Sequence, residues 1–516
     1  MSLIQIRDLT FTYPGNSDPV FENLNVRFDT NWNLGLVGRN GRGKTTLLRL
    51  LMQEEDCTHG SICGVPPCVY FPARVPDTDQ TTAEVLMSLC PDAQVWEMER
   101  ELSLIGLEET TMSRAFRTLS GGERTKVQLA ALFLTDGALP LIDEPTNHLD
   151  LAGRASVARY LRSKQGFVLV SHDRSFLDGA IDHVLALNRT DVQIRKGSFS
   201  AWFQEFCDRQ ESELQENARL RKEIGRLEQA ADRAATWSRR AEKKKEHLTN
   251  GQIDRGFISH RAAKMTKRAK SMAARSEQAA AQKRTLLHNL EKTDELRIPA
   301  LRHPKDVLVR LTNVAPLYDT RAVCSPITLE LRRSERLLVT GGNGSGKSTL
   351  LRTVLGSHTE YSGELWCAPG LTVSYVPQET GHLSGTLESY ARNAGVDRSM
   401  LYTIARKLGF EREDFERDLA SISEGQKKKI LIARSLCEPA HLYIWDEPLN
   451  YLDLYARMQV EAMVRDSDAA MIIVEHDSAF QDAVGTGNLC LTQPAEHLPD
   501  FRRACSAGPP NCALTN

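Results

Sequence analysis

Two glycine-rich segments, GRNGRGKT at 38–45 and GGNGSGKS at 341–348, have the residue types and spacing that bind phosphate groups. Glycines let the backbone approach phosphates closely, and the helix that follows directs its free N–H groups and its dipole at them. We expect Lys44 and Lys347 to neutralise the β- and γ-phosphates, and the Thr45 and Ser348 hydroxyls to ligate Mg²⁺. The predicted binding residues of the two loops are Gly38, Asn40, Gly41, Gly43, Lys44, Thr45 and Thr46, and Gly341, Asn343, Gly344, Gly346, Lys347, Ser348 and Thr349.

An apolar run ending in an acidic pair lies about 100 residues after each loop. The pairs are Asp143–Glu144, after Leu139–Ile142, and Asp446–Glu447, after Leu442–Trp445. The aspartates are predicted to hold Mg²⁺ through water, and the glutamates to polarise an attacking water molecule. Carboxylates at strand ends also commonly cap helices, but their register with the loops favours the catalytic interpretation.

The loops and acidic pairs belong to an internal repeat. Lys44 and Lys347 are 303 residues apart, and so are LSGGE at 119–123 and ISEGQ at 422–426. The acidic segments LPLIDEPTNHLD and LYIWDEPLNYLD keep the same offset, and LVSHD at 169–173 recurs as IVEHD with a slip of one residue. The pattern predicts a duplicated α/β domain. Strands are expected at Leu34–Val37 and Leu337–Val339, and helices at Thr46–Met52 and Thr349–Leu355.

These motifs resemble the ATP-binding cassette (ABC) superfamily, in which two cassettes close head to tail around two ATP molecules. The resemblance implies that Ser120, Gly121 and Gly122 face the nucleotide at Lys347, and that Ser423 and Gly425 face the nucleotide at Lys44. It also implies that His172 and His476 are switch residues that sense the γ-phosphate. Tyr13 and Tyr318 are candidates to stack on adenine, although a lone tyrosine is more often a core residue.

The two predicted sites differ in sequence. Gln378, in YVPQ, matches the cassette glutamine that links Mg²⁺ and the attacking water, and is a predicted metal-site residue; the first repeat has Ala73 in YFPAR. The second signature has Glu424 where the first has Gly121, and a carboxylate there should repel a γ-phosphate. Head-to-tail pairing would bring both departures to the Lys44 site, which we therefore expect to turn over slowly or mainly to hold ATP.

Composition restricts the function classes. The 516 residues contain no run of about 18 apolar residues and no secretory signal, so we expect a cytoplasmic protein without a membrane partner. The cysteines are scattered, as is typical of reduced thiols. The net charge of −2 conceals +11 over residues 221–290, which contain 18 basic and 7 acidic residues. A basic segment in an otherwise acidic protein indicates a polyanionic partner.

This basic segment is predicted to be a spacer between the cassettes. Residues 203–298 contain no proline and show helical apolar periodicity on both sides of a break near Gly251–Gly256, which predicts an antiparallel helical hairpin. The domains are predicted to be a first cassette at 1–202, the hairpin linker at 203–298 and a second cassette at 299–516. Lys243, Lys244, Lys245, Lys264, Lys267 and Arg268 near the tip, and Phe257 at the tip, are the candidate RNA-binding residues. The alternative is a solvated coiled coil with ordinary surface charge.

Twin cassettes with a basic hairpin between them resemble the ABC-F family of translation factors, and within it the antibiotic-resistance subgroup of the Lsa and Vga type. The resemblance implies a monomer that binds the 70S ribosome near the tRNA exit site, with the hairpin directed at 23S rRNA, peptidyl-site tRNA and the peptidyl-transferase centre. DNA is not an expected partner. Displacement of lincosamides, streptogramin A compounds or pleuromutilins would follow. A housekeeping translation factor and the ATPase subunit of a transporter remain alternatives.

Overall fold

The computed structural model describes residues 3–15, 18–75, 77–147, 149–187, 192–247, 296–318, 321–492 and 513–514, with Ser271, Ala274, Arg275 and Gln278. The chain divides into two compact units. One unit contains residues 1–200 together with 293–516, and the other contains residues 201–292. In the described part of the chain every cysteine is a free thiol.

The first cassette is organised around a mainly parallel sheet. Its strands are β1 Leu3–Phe11, β2 Phe21–Asp29, β3 Asn33–Gly38, β4 His59–Cys63, β5 Cys68–Phe71, β6 Leu139–Asp143, β7 Phe167–Val170, β8 His183–Leu187 and β9 Val192–Lys196. Among the described residues the large sheet has the order β5-β6-β7-β3-β8-β9, and β2-β1-β4 form a separate antiparallel sheet. The helices are α1 Lys44–Leu51, α2 Thr82–Leu89, α3 Val95–Leu104, α4 Gly121–Leu132, α5 Leu151–Arg162 and α6 Arg174–Ala180, with short 3₁₀ helices at Glu109–Ser113 and Phe116–Thr118.

The second cassette repeats this architecture. Its strands are β10 Val307–Tyr318, β11 Arg321–Ala322, β12 Ile327–Arg332, β13 Arg336–Gly341, β14 Tyr361–Cys367, β15 Thr372–Val376, β16 Leu442–Asp446, β17 Ala470–Val474, β18 Gly487–Leu491 and β19 Ala513–Leu514. In the described part of the chain the large sheet has the order β18-β13-β17-β16-β15-β19. The helices are α8 Lys347–Val354, α9 Leu387–Asn393, α10 Arg398–Lys407, α11 Glu424–Cys437, α12 Leu454–Arg465 and α13 Ser478–Val484, with a 3₁₀ turn at Glu413–Glu416.

The central parallel strands are continuously apolar because helices or a second sheet cover both of their faces. Every residue of β7, β8, β16 and β17 is buried. The carboxyl ends of β3 and β6, and of β13 and β16, carry the loops and acidic pairs, so the sheet brings these motifs to one edge. The predicted duplication of an α/β domain is confirmed.

Strand register identifies equivalent residues where the repeats slip. Phe71 lies opposite Ile142 in the first cassette, and Val376 lies opposite Trp445 in the second. Ile142 and Trp445 are equivalent in the repeat, so Phe71 and Val376 are equivalent as well. Two residues further along, Ala73 therefore occupies the position of the glutamine in YVPQ.

The linker begins as one long helix, α7, which extends over Phe199–His247. The predicted tip and almost all of the predicted returning arm lie outside the described residues. Within the described residues, no helix is both long and apolar enough to span a membrane.

Candidate nucleotide-binding sites

Each glycine-rich loop turns into its helix through a glycine in the left-handed region. Gly43 has φ of 84° and precedes α1, and Gly346 has φ of 90° and precedes α8. A Cβ on Gly43 would lie 2.6 Å from the Phe21 ring, and one on Gly346 would lie 2.7 Å from a Val323 methyl group. Conformation and space therefore both require glycine at the point where each helix N-terminus faces its site.

The loop lysines are buried and directed at their own loops. The Lys44 ammonium donates to the Gly38 carbonyl at 2.8 Å, and that of Lys347 donates to the Gly341 carbonyl at 3.0 Å. Burial lowers the pKa of both lysines, while nearby carboxylates, Glu144 and Glu447 foremost, oppose the shift. Each loop thus holds an ammonium group beside an acidic pair.

The residues predicted to hold Mg²⁺ lie beside each other in both sites. The Thr45 hydroxyl donates to Asp143 Oδ2 at 3.0 Å, at the end of β6. The Asp446 carboxylate is buried at the end of β16, and the hydroxyl beside it is that of Ser348. A hydroxyl beside a buried carboxylate is a donor set that fits Mg²⁺, which takes few protein ligands together with substrate phosphates.

The predicted general bases share an unusual backbone conformation. Glu144 has φ of 52° and Glu447 has φ of 48°. The backbone N–H of Glu144 donates to the Val170 carbonyl, and that of Glu447 to the Val474 carbonyl, each at 2.9 Å. Such conformations cost about 1–3 kcal/mol and persist where the surrounding structure enforces them, often at functional sites. Both glutamates therefore follow their strands with the same strained backbone conformation.

The switch histidines lie next to these glutamates. His172 Nε2 is 3.3 Å from Glu144 Oε1, and His476 Nε2 is 3.8 Å from Glu447 Oε1. Burial, followed by the Asp143 or Asp446 carboxylate, raises the pKa of both glutamates, that of Glu144 to about 7. Burial lowers the pKa of both histidines, that of His476 to about 4. At neutral pH the histidines are therefore uncharged and able to bond a phosphate or the base.

Each glycine-rich loop shares a cavity with the signature motif of the other cassette. A cavity of about 500 Å³ contains the Lys44 loop and is lined across the interface by Ser423, Glu424 and Gly425. A second, of about 560 Å³, contains the Lys347 loop and is lined by Ser120 and Gly121. Gly122 does not line it and lies in the first turn of α4.

The signature serines begin helices whose N-termini face these cavities. The Ser120 hydroxyl accepts from the Glu123 N–H at the start of α4, and the Ser423 hydroxyl accepts from the Gln426 N–H at the start of α11. Reciprocal side-chain bonds complete a capping box at each helix. A helix N-terminus with its dipole is a suitable partner for an anion, so both cavities have a phosphate-binding group on each side.

Direct contacts join the two cassettes. Arg174 pairs with Glu461 at 3.1 Å, and the hydroxyls of Ser175 on α6 and Ser478 on α13 are 2.9 Å apart. The Asn40 amide donates to the Tyr451 carbonyl at 3.4 Å. The head-to-tail arrangement implied by the motifs is therefore present within one chain.

The glutamine is a real difference between the sites. Gln378 Nε2 donates to Glu447 Oε2 at 2.9 Å. The equivalent residue in the first cassette is Ala73, whose methyl side chain cannot donate to Glu144. The alignment that strand register establishes thus leaves Glu447 with a glutamine partner and Glu144 without one.

The charge of Glu424 is paired. Lys427 donates to its Oε1 at 2.8 Å, and the Thr380 hydroxyl donates to its other oxygen. These hydrogen bonds lower the pKa of Glu424, that from Lys427 most, so the group is ionised beside the Lys44 cavity. The repulsion predicted there is therefore partly compensated by Lys427.

The two candidate adenine-stacking tyrosines line the cavities differently. Tyr13 bonds the Thr46 hydroxyl at 3.0 Å and lines the Lys44 cavity beside Val20. Tyr318 is 48% exposed and lines the Lys347 cavity. Each ring lies at a loop edge where a base could stack.

Sequence reasoning missed several residues that line the two cavities. Asn147 lines both cavities, and Arg154 lines the Lys347 cavity while it pairs with Asp173 at 2.8 Å. Asn450 donates to the Glu447 carboxylate. The run NHLD or NYLD immediately after each acidic pair is the signal that could have identified Asn147 and Asn450.

The predicted RNA-binding residues lie partly within the described part of the chain. Lys243, Lys244 and Lys245 lie in the last turns of α7. Phe257, Lys264, Lys267 and Arg268 lie outside the described residues.

The duplicated fold and the two shared cavities define a twin-cassette ATP-binding protein. A family model described as "ABC transporter" matches residues 21–147 and again 324–450. The ribosome protection protein VmlR of Bacillus subtilis is 27% identical over 489 residues, covering 93% of this chain and 85% of VmlR. The energy-dependent translational throttle protein EttA of Mycobacterium tuberculosis is 25% identical over 519 residues, covering 90% and 88%.

A solved structure agrees with the fold. The archaeal ribosome recycling factor aABCE1, in complex with the stalk protein aP1, superposes with a TM-score of 0.60 at 20% identity over 94% of this chain and 87% of that one. The chain carries two ATP-binding cassettes, is similar to ABC-F proteins such as VmlR and EttA, and is an ATP-hydrolysing enzyme.

Proposed function

We propose that the chain binds two Mg–ATP molecules between its cassettes and uses their hydrolysis to time its stay on a ribosome. The observation that supports it best is that each signature serine lines the cavity of the opposite loop. Lys44 and Lys347 would bind the β- and γ-phosphates, and the signature helices would bind the γ-phosphate from the far side. ATP would therefore hold the cassettes together until it is hydrolysed.

In each site the base would act on a water in line with the γ-phosphate. Glu447 would accept the proton of that water, with Gln378 orienting the carboxylate, and His476 would contact the phosphate as a neutral donor. Mg²⁺, held near Ser348 and Asp446 and in the other site near Thr45 and Asp143, neutralises phosphate charge when bound.

We propose that the Lys347 site carries most of the turnover. Its base has the Gln378 contact, and the signature opposite is the unmodified LSGGE. Steady-state hydrolysis should fall much further in Glu447→Gln than in Glu144→Gln, and Ala73→Gln should raise the rate that remains in Glu447→Gln. Equal losses in the two single variants would refute the asymmetry.

The proposed partner is the ribosome, near the tRNA exit site, with the linker tip directed at the peptidyl-transferase centre, 23S rRNA and peptidyl-site tRNA. The names of VmlR and EttA support a role in translation, and the charge of +11 over residues 221–290 supports an RNA partner. The proposed consequence, in keeping with the name of VmlR as a ribosome protection protein, is displacement of lincosamides, streptogramin A compounds or pleuromutilins. The site of action would be cytoplasmic.

Drug protection is tested by expression in a sensitive host. Inhibitory concentrations of a lincosamide, a streptogramin A compound and a pleuromutilin should rise at least about fourfold, while that of an aminoglycoside should not change. Phe257→Ala should lower protection and leave ATP hydrolysis intact. Replacement of Lys243–Lys245 by alanine should weaken ribosome binding and reduce its salt dependence, because fewer counterions are released.

A drug-independent translation factor is the second candidate, and the name of EttA, a translational throttle protein, favours it. It predicts ATP-dependent ribosome binding with no change in any inhibitory concentration.

A further inference from the structure

Lys428 is a fully buried lysine whose role is not accounted for by the motifs. It lies in α11, five residues after the signature Ser423. Its ammonium donates to the backbone carbonyls of Pro377 and Asp446, each at 2.8 Å. A buried ammonium group costs free energy unless acceptors pair its N–H groups, so the fold depends on these two hydrogen bonds.

The two carbonyls lie immediately before the groups that serve the Lys347 site. Pro377 precedes Gln378, and Asp446 precedes Glu447. The side chains of these following residues meet in the 2.9 Å bond from Gln378 Nε2 to Glu447 Oε2. One ammonium therefore ties together the backbones of both partners of that bond.

A buried carboxylate accompanies the lysine. Glu475 is 2% exposed and accepts from the backbone N–H groups of Leu449 at 3.1 Å and His476 at 2.8 Å. Burial lowers the pKa of Lys428 to about 8, and the carboxylates of Asp446, Glu447 and Glu475 oppose the shift. The second cassette thus contains an added cation and an added anion around its base.

The first cassette has neither charge. Thr125 occupies the position of Lys428, and Ser171, whose hydroxyl lies 3.4 Å from that of Thr146, occupies the position of Glu475. The same cassette has Ala73 in place of the glutamine. The lysine is therefore present where there is a glutamine to hold, and absent where there is none.

We propose that Lys428 is a positioning residue that holds the glutamine segment against the end of β16 and so keeps Gln378 on Glu447. The inference rests on the proposed role of Glu447 as the base of the Lys347 site, which Glu447→Gln tests separately. It does not depend on the ribosome.

The test uses full-length Lys428→Met/Glu475→Gln, which removes both charges with little change in volume. In the Glu144→Gln background, where the Lys347 site supplies the turnover, kcat should fall roughly tenfold or more while KM for ATP stays within about twofold, because a small displacement of an orienting group mainly affects chemistry. Adding Gln378→Ala should cause no further fall. Thr125→Val, at the equivalent buried position of the first cassette, is the matched control and should leave this kcat unchanged.

Three results would overturn the proposal: an unchanged kcat, an equal further fall when Gln378→Ala is added, or the same fall at the Lys44 site in the Glu447→Gln background. A general packing role predicts the second and third. If the double variant melts below the assay temperature, the reciprocal transplant decides. Ala73→Gln/Thr125→Lys/Ser171→Glu should then raise Lys44-site turnover above that of Ala73→Gln alone, and no gain would refute the positioning role.

Discussion

The ion pair between Arg174 and Glu461 is a sensitive point of the cassette interface. The side chains are 16% and 18% exposed, and burial raises the pKa of Glu461 while Arg174 opposes the shift. Replacing Arg174 by glutamate places two carboxylates opposite each other across the interface. The closed form should therefore be weakened specifically, because neither residue belongs to a nucleotide loop.

The free-energy cost of this charge reversal follows from the partial burial of the pair. Exposed pairs contribute about 0–1 kcal/mol, and losing one partner of a buried pair costs about 3–5 kcal/mol. This pair lies between those limits, so we expect reversal to cost about 3 kcal/mol of closure, or roughly a hundredfold in ATP affinity. The assay is equilibrium binding of radiolabelled ATP to Arg174→Glu in the non-hydrolysing Glu144→Gln/Glu447→Gln background.

A charge swap supplies the decisive comparison. Arg174→Glu/Glu461→Arg should recover most of the affinity, although Arg465 nearby limits the recovery. Arg398→Glu, which breaks an exposed pair with Glu388, should change affinity by less than about fivefold. If Arg174→Glu binds both ATP molecules as tightly as its parent, the two cassettes do not close through this face.

Two further predictions concern packing in the second cassette. Gly425→Ala would bring a Cβ to 2.4 Å from the Tyr451 carbonyl oxygen, and should weaken ATP binding at the Lys44 site by roughly tenfold. Gly381→Ala is the control and should leave ATP binding unchanged, because Gly381 has open space around it. Lys429→Met removes the partner 2.9 Å from buried Asp453 and should lower the free energy of unfolding in urea by about 3 kcal/mol, against less than about 1 kcal/mol for exposed Arg417→Met. Burial alone would raise the pKa of Asp453, but Lys429 holds it below its ordinary value. The stabilisation of the fold by this ion pair is therefore complete above about pH 4 and is lost as the pH falls further. Lys429→Met should lack this pH dependence of stability.

The glycine-rich loops and acidic pairs could be predicted because their chemistry depends on the spacing of residues close together in the sequence. A glycine before a helix and a carboxylate at a strand end act within a few residues, and Lys44 and Asp143 lie together because parallel strands end at one edge. The order of motifs was enough to predict two cassettes, and the observed β3 and α1 differ from the predicted bounds by one or two residues.

Contacts across the interface could not be predicted in the same way. Asn147 and Arg154 reach the opposite site through rigid-body pairing, which has no periodicity in the sequence. The equivalence of Ala73 with the glutamine was expected from the motif, and strand register confirms it where the repeats slip by two residues. Lys428 was overlooked because a lysine in a helix ordinarily indicates an exposed face, and only packing reveals that it is buried.

The central claim is that ATP closes the cassettes into the form that binds the ribosome. Sedimentation of full-length Glu144→Gln/Glu447→Gln with 70S ribosomes through a sucrose cushion tests it most directly. With Mg–ATP the protein should pellet at about one copy per ribosome and resist salt, and with Mg–ADP it should stay in the supernatant. Equal pelleting with both nucleotides, or none with ATP, would contradict the account.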